Sequence, residues 1–152
     1  MQRREFLVVS FATTLGAAIA PRRLAATGAP IAMTVYKSAS CGCCKLWVQY
    51  MQQNGFTIKV VDLDDLSEIK RTAGVPAAMQ SCHTGLVGAY VVEGHVPADL
   101  VKEMLIEKPK ILGLAVPGMV VGSPGMEQGS TKSPYDVVAF ARSGQLRVYA
   151  KR

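Results

Sequence analysis

Three cysteines within four positions, Cys41-Gly42-Cys43-Cys44, stand where an extended segment gives way to a helical one, and nothing else in the chain restricts its fold as tightly. Before them, Met33 to Lys37 alternates in polarity and carries Val35 and Tyr36, the pattern of a short strand. Ser38 to Gly42 is a turn of small residues. After them, Leu46, Trp47, Tyr50 and Met51 recur at spacings of three and four as far as Asn54, with Gln49, Gln52 and Gln53 on the other side and Gly55 as the stop. Thiols at a helix start face unpaired N–H groups and the positive end of the helix dipole, which favour thiolate over thiol. Lys37 and Lys45 add positive charge nearby.

The rest of the chain continues an alternation of strand and helix. Thr57 to Leu63 is rich in β-branched residues and predicts a second strand, and Asp65 with Glu68 offers a capping box for a short helix ending near Gly74. Ala77 to Gln80 suits a single helical turn. Cys82 leads into Leu86 to Val92, a third strand that turns back at Glu93 and Gly94. Pro97 and Ala98 open a helix whose Leu100, Val101, Met104 and Leu105 share a face, and Pro109 closes it. Leu112 to Ser133 is a long Gly/Pro/Met loop, of a length that usually marks function. Tyr135 to Phe140 and Leu146 to Tyr149 predict a terminal hairpin. The fold class expected is α/β: a thioredoxin/glutaredoxin-like single domain with a central mixed sheet, flanking helices, the long loop and the C-terminal hairpin.

The first residues read differently. Arg3, Arg4, Phe6 and Leu7 precede an uncharged apolar run from Val8 to Ala20, followed by small residues at Ala25 to Ala29. That run is about 13 residues, short of the ~20 needed to span a bilayer. Residues 1–28 are therefore read as a removable signal peptide of the twin-arginine type, and residues 29–152 as the thioredoxin-like metal-binding domain. A periplasmic location is the expectation, with no stable membrane insertion after leader removal. Without the leader's four arginines and one glutamate the formal charge falls from +6 to +3. The remaining lysines form no run and no aromatic interleaving, which argues against nucleic acid as a partner.

All four cysteines, Cys41, Cys43, Cys44 and Cys82, fall in the mature part. Structural disulfides fit poorly, since bridges between Cys43 and Cys44 or Cys41 and Cys43 close small strained rings. Only Cys41 with Cys44, or one of the three with Cys82, bridges comfortably. Cys41 and Cys44 have the spacing of a thioredoxin-like redox pair. Cys43 tilts the balance, because an additional adjacent thiol invites scrambling, whereas converging thiolates suit a metal. Zinc and iron–sulfur sites prefer wider or paired spacings, and soft Cu(I) accepts two or three thiolates. The metal ligands expected are Cys41, Cys43, Cys44 and Cys82, holding Cu(I), with a multinuclear thiolate-bridged cluster as the extended form. A metal-free thiol–disulfide oxidoreductase using Cys41 and Cys44 is the alternative, and a zinc-stabilised module the third. His83, His95, Met119 and Met126 are weaker candidate ligands, each with an ordinary structural role in competition. Trp47 and Met51, at helical spacing, are assigned to the core, as are Met33, Met79 and Met104.

Several runs, in order, resemble the bacterial DUF411 family: Cys41-Gly42-Cys43-Cys44, Ser81-Cys82-His83-Thr84, Val91-Val92-Glu93-Gly94-His95-Val96-Pro97, Gly113-Leu114-Ala115-Val116-Pro117-Gly118-Met119 and Gly122-Ser123-Pro124-Gly125-Met126-Glu127. The resemblance extends from about Met33 to the C-terminus. It implies a periplasmic thioredoxin-like protein of copper resistance, with copper ions and other periplasmic copper-handling proteins as partners and Cys41, Cys43, Cys44 and Cys82 as ligands. Whether such a protein binds copper or also acts as a copper-dependent oxidoreductase is left open by the sequence.

Overall fold

Strand β1 (Ile31–Lys37) buries every second residue, Met33, Val35 and Lys37, as its alternation requires. The computed structural model in which it is seen describes residues 28–152; all but the last residue of the expected signal peptide lies outside them. Helix α1 (Gly42–Gln53) follows the cysteine turn and buries Cys44, Trp47, Val48 and Met51, a stripe one turn apart. Full burial of Met51 alone stabilises by about 1.5–3 kcal/mol. Gly55, at φ +85°, reverses the chain into β2 (Phe56–Asp62), which lies parallel to β1.

Helix α2 (Ser67–Thr72) begins without the expected capping box. The Ser67 N–H donates to Asp65 Oδ1 at 2.8 Å, so Asp65 closes a local turn and leaves Leu66, which has no capping side chain, at the helix boundary. A 3-10 turn (Ala77–Met79) leads to β3 (His83–Val87) and β4 (Tyr90–Glu93). These replace the single strand expected over Leu86 to Val92. The reversal falls at Gly88-Ala89, where Gly88 takes φ +56°, and not at Glu93-Gly94. Helix α3 (Ala98–Glu107) ends at Lys108 in a left-handed conformation. The expected long loop yields three residues to β5 (Gly113–Ala115), and β6 (Asp136–Phe140) and β7 (Leu146–Lys151) form the terminal hairpin.

The result is a mixed α/β domain built on one seven-stranded sheet in the order β2-β1-β3-β4-β5-β6-β7, with three α-helices among the described residues. Because β5 pairs with both β4 and β6, the hairpin continues the central sheet. Alternation along the strands divides the core. Val92, Leu114 and Ala139 pack with α1 and α3, whereas Val91, Ala115 and Phe140 pack with Val75 and Met79 on the other face. Among the described residues no helix is long and apolar enough to cross a membrane.

Candidate metal centre

Strand directions gather the chemistry at one end of the sheet. Lys37 at the end of β1 pairs with His83 at the start of β3, and Thr84 pairs with Glu93 at the end of β4, whose parallel neighbour β5 ends at Ala115. The cysteine turn, the Cys82-His83 segment, His95 and the loop after β5 therefore meet there.

Cys41 is the N-cap of α1, and its Sγ accepts the Cys44 N–H at 3.3 Å. Cys41 and Cys44 are joined in a disulfide, while Cys43 and Cys82 are free. Cys43 Sγ lies 3.6 Å from Cys41 Sγ, and Cys44 Sγ lies 3.7 Å from the Cys82 carbonyl across the gap between α1 and β3. The sulfur atoms of Cys41, Cys43, Cys44 and Cys82 all fall within 4.8 Å of one another, an arrangement compatible with a metal. Burial pushes the Cys82 thiol up to about 12, and neighbouring Cys43 adds to the shift. The Lys37 ammonium is buried and paired with Asp62 at 2.6 Å, and it donates to the Ser38 carbonyl at 3.2 Å.

Both histidines belong to this cluster and are fully buried. His95 Nε2 lies 3.1 Å and His83 Nδ1 3.3 Å from Cys82 Sγ, and the ligand atoms of this trio also lie within 4.8 Å of one another. His95 Nδ1 donates to the Pro124 carbonyl at 2.8 Å, which turns the Nε2 lone pair toward the sulfur. His83 packs against Trp47, ring centroids 4.3 Å apart, and its Nε2 has no hydrogen-bond partner. Burial holds both imidazoles below their ordinary range, His83 well below, with His95 and then Lys70 adding to the shift at His83.

The long loop supplies the Pro124 contact by lying against α1. Gly125 takes φ +81°, and a Cβ there would sit 2.6 Å from the Trp47 nitrogen, so the close approach requires glycine. Met126 follows, half-buried. Met119 is exposed, one residue beyond Gly118, whose carbonyl accepts from Ser81 Oγ.

Beneath Cys82 runs a polar network that sequence reasoning missed. Glu93, read as a turn residue, is fully buried, with Oε1 accepting from Lys70 Nζ and from the Ser81 N–H at 2.7 Å, and Oε2 accepting from Thr84 Oγ1 at 2.7 Å. Lys70 Nζ also donates to Thr84 Oγ1 at 3.1 Å. Burial raises the Glu93 carboxyl above its ordinary range, and the Lys70 ammonium opposes it. The carboxylate thereby clamps the backbone one residue before Cys82. The only available signal was an acid ending the apolar run Tyr90-Val91-Val92.

A family profile described as a protein of unknown function, DUF411, matches residues 79–126. A solved structure described as copper resistance protein copG, form 2, is 46% identical, with a TM-score of 0.77 over 81% of this chain and 98% of its own; form 1 gives the same values. The chain belongs to the DUF411 family, among its CopG-like members. No curated protein matches significantly. The stretch matched by the DUF411 profile includes Cys82, His83, Glu93, His95 and Pro124, so one region carries both the thiol–imidazole trio and the carboxylate beneath it.

Proposed function

We propose that this DUF411 protein is an exported Cu(I)-binding protein of copper resistance, with copper as its cargo and Cys41, Cys43, Cys44 and Cys82 as thiolate ligands. The observation that carries the reading is the convergence of four sulfurs within 4.8 Å, three from one helix start and one from the residue just before β3. So many soft donors in so small a volume match Cu(I), and sulfurs this close can bridge more than one ion. The similarity to a protein named for copper resistance supports the same cargo. Metal capture by all four thiolates requires two electrons and two protons to open the Cys41–Cys44 disulfide first. The domain, residues 29–152, is thioredoxin-like on this reading: β1 and β2 parallel, β3 and β4 antiparallel beside them, and the cysteines at the start of the helix after β1 support it. The twin-arginine-like leader, residues 1–28, supports a periplasmic location, where other copper-handling proteins would deliver or accept the ion.

A second reading, thiol–disulfide exchange with Cys41 as nucleophile and Cys44 as resolving thiol, is favoured by the disulfide between them. Anaerobic Cu(I) titration of the reduced protein against a chromogenic chelator, with native mass spectrometry for stoichiometry, separates the two. Tight uptake that collapses in Cys43→Ser is the expected result. Failure to compete with a moderate chelator, together with disulfide exchange unaffected by Cys43→Ser, would replace copper binding with the second reading.

A further inference from the structure

We infer that Cys43 and Cys82 close as a second disulfide beside Cys41–Cys44, with a low-molecular-weight organic disulfide as oxidant, and that the doubly bridged protein is shut to Cu(I). The pairing rests on the placement of the two free thiols alone; its effect on the metal rests on the copper reading. With Cys41 and Cys44 joined, Cys43 and Cys82 are the two thiols left, and their sulfurs lie within 4.8 Å of each other. A disulfide needs about 2.05 Å, so the gap to close is at most about 2.7 Å, within reach of side chains turning between staggered positions. The backbones need not travel, because Cys43 stands in the first turn of α1 and the neighbouring Cys44 Sγ already lies 3.7 Å from the Cys82 carbonyl. Both free thiols are only half-buried, which leaves a small oxidant a way in.

The surroundings of the two sulfurs divide the work between them. Cys43 sits at the helix start, where unpaired N–H groups favour thiolate, and it attacks one sulfur of the external disulfide. A mixed disulfide forms on Cys43 and one small thiol leaves. Cys82 then resolves it. Its S–H donates to His95 Nε2 at 3.1 Å, a bare lone pair because His95 Nδ1 donates to the Pro124 carbonyl. The thiol has no second proton, so the 3.3 Å contact with His83 Nδ1 is an N–H donated to the sulfur, which steadies the thiolate once His95 has taken the proton. Cys82 Sγ attacks Cys43 Sγ, the bond from Cys43 to the external sulfur breaks, and the second small thiol leaves with the proton that His95 held. Two electrons pass from the cysteine pair to the external disulfide, and both cysteine protons end on the released thiols.

With both pairs bridged the centre has no thiolate left, and thiolates are what select Cu(I). Loading then takes four electrons, two for each bridge, and the same closeness of sulfurs that suits the metal lets oxidation withdraw the site in two steps.

The test starts from metal-free protein carrying only the Cys41–Cys44 disulfide and holds it anaerobically with oxidised glutathione. Free thiols, intact mass and the cysteine peptides released by proteolysis without reduction are then read. Both remaining thiols should vanish with no glutathione retained, and the Cys43 peptide should be joined to the Cys82 peptide. Cys82→Ser should stall with one glutathione on Cys43, and Cys41→Ser/Cys44→Ser, which keeps only Cys43 and Cys82, should form the same bridge. Thiols that stay free in the parent protein, a glutathione adduct that persists on it, or Cys82 joined to Cys41 or Cys44 would each overturn the pairing, whether or not the variants fold. In the copper arm, the doubly bridged protein should take no Cu(I) from the chelator until a reductant is added. Uptake by the doubly bridged protein would overturn the closure, whereas no uptake by the fully reduced protein would overturn the copper reading and leave the pairing standing.

Discussion

Replacing Glu93 by glutamine removes a charge without removing volume, and the structure sets what that should cost. Glu93 is fully buried and Lys70 is 6% exposed, so the ammonium left behind in Glu93→Gln has neither a counter-charge nor water. Breaking one side of a buried ion pair costs about 3–5 kcal/mol, which for a domain of this size lowers Tm by roughly 10–20 °C. The double variant Lys70→Met/Glu93→Leu removes both charges and should recover most of the loss. It still orphans the Ser81 N–H that Glu93 Oε1 accepts, leaving a deficit of about 1–3 kcal/mol. Thermal and urea unfolding of the metal-free protein, followed by circular dichroism, measures all three. A Glu93→Gln variant within 1 kcal/mol of the parent, or a double variant as unstable as the sum of its singles, would refute the claim that this is a desolvated pair. Because the same carboxylate holds the backbone before Cys82, Glu93→Gln should also weaken copper binding to whatever protein remains folded.

Two further expectations follow from the same region. Burial pushes the Cys82 thiol up to about 12, so on the proposed reading copper displaces its proton, and at fixed copper the affinity of the reduced protein should rise with pH, by about tenfold per unit for each proton released; chelator competition from pH 6.5 to 8.5 that gave no slope would contradict a proton-bearing Cys82 ligand. Gly125→Ala forces a left-handed alanine and a Cβ against the Trp47 backbone, at a strain of about 1–3 kcal/mol. The strain is relieved if the loop lifts, so hydrogen exchange should rise across residues 120–126 and copper binding should weaken as the Pro124 carbonyl leaves His95.

The helix-borne part of the centre was legible in the sequence because it is local. Cys41, Cys43 and Cys44 lie next to the periodicity of α1, and the small residues of the turn mark its start. His83 and His95 stood among the weaker candidates, but their meeting at Cys82 was not legible, because it depends on one turn. With Leu86 to Val92 read as a single strand, His83 and His95 stand at opposite ends; reversal at Gly88-Ala89 brings them to the same end, facing one sulfur. Gly88-Ala89 lacks the Asn-Gly or Asp-Gly signature of a two-residue hairpin, and valines and leucine on both sides hide it. The pairing of Lys70 with Glu93 spans 23 positions and two elements, which no local pattern encodes. The long loop was recognisable as functional from its length and its Gly and Pro content, but its contribution, a main-chain carbonyl at Pro124, belongs to no side chain that a sequence displays.

The same strand directions that gather the cysteines and histidines at one end of the sheet leave, among the described residues, turns and connections at the opposite end. The turns at Asn54-Gly55 and Gly88-Ala89, the exit from α3 at Lys108 and the hairpin tip at Ser143-Gly144 all lie there. The molecule is thus polar in the sense of a tool with a handle: a dye, a tether or a fused domain attached at the hairpin tip would grip it about a sheet's length from the sulfurs. Copper traffic could then be watched, or the protein fixed to a support, with the working end still open to whatever brings the ion.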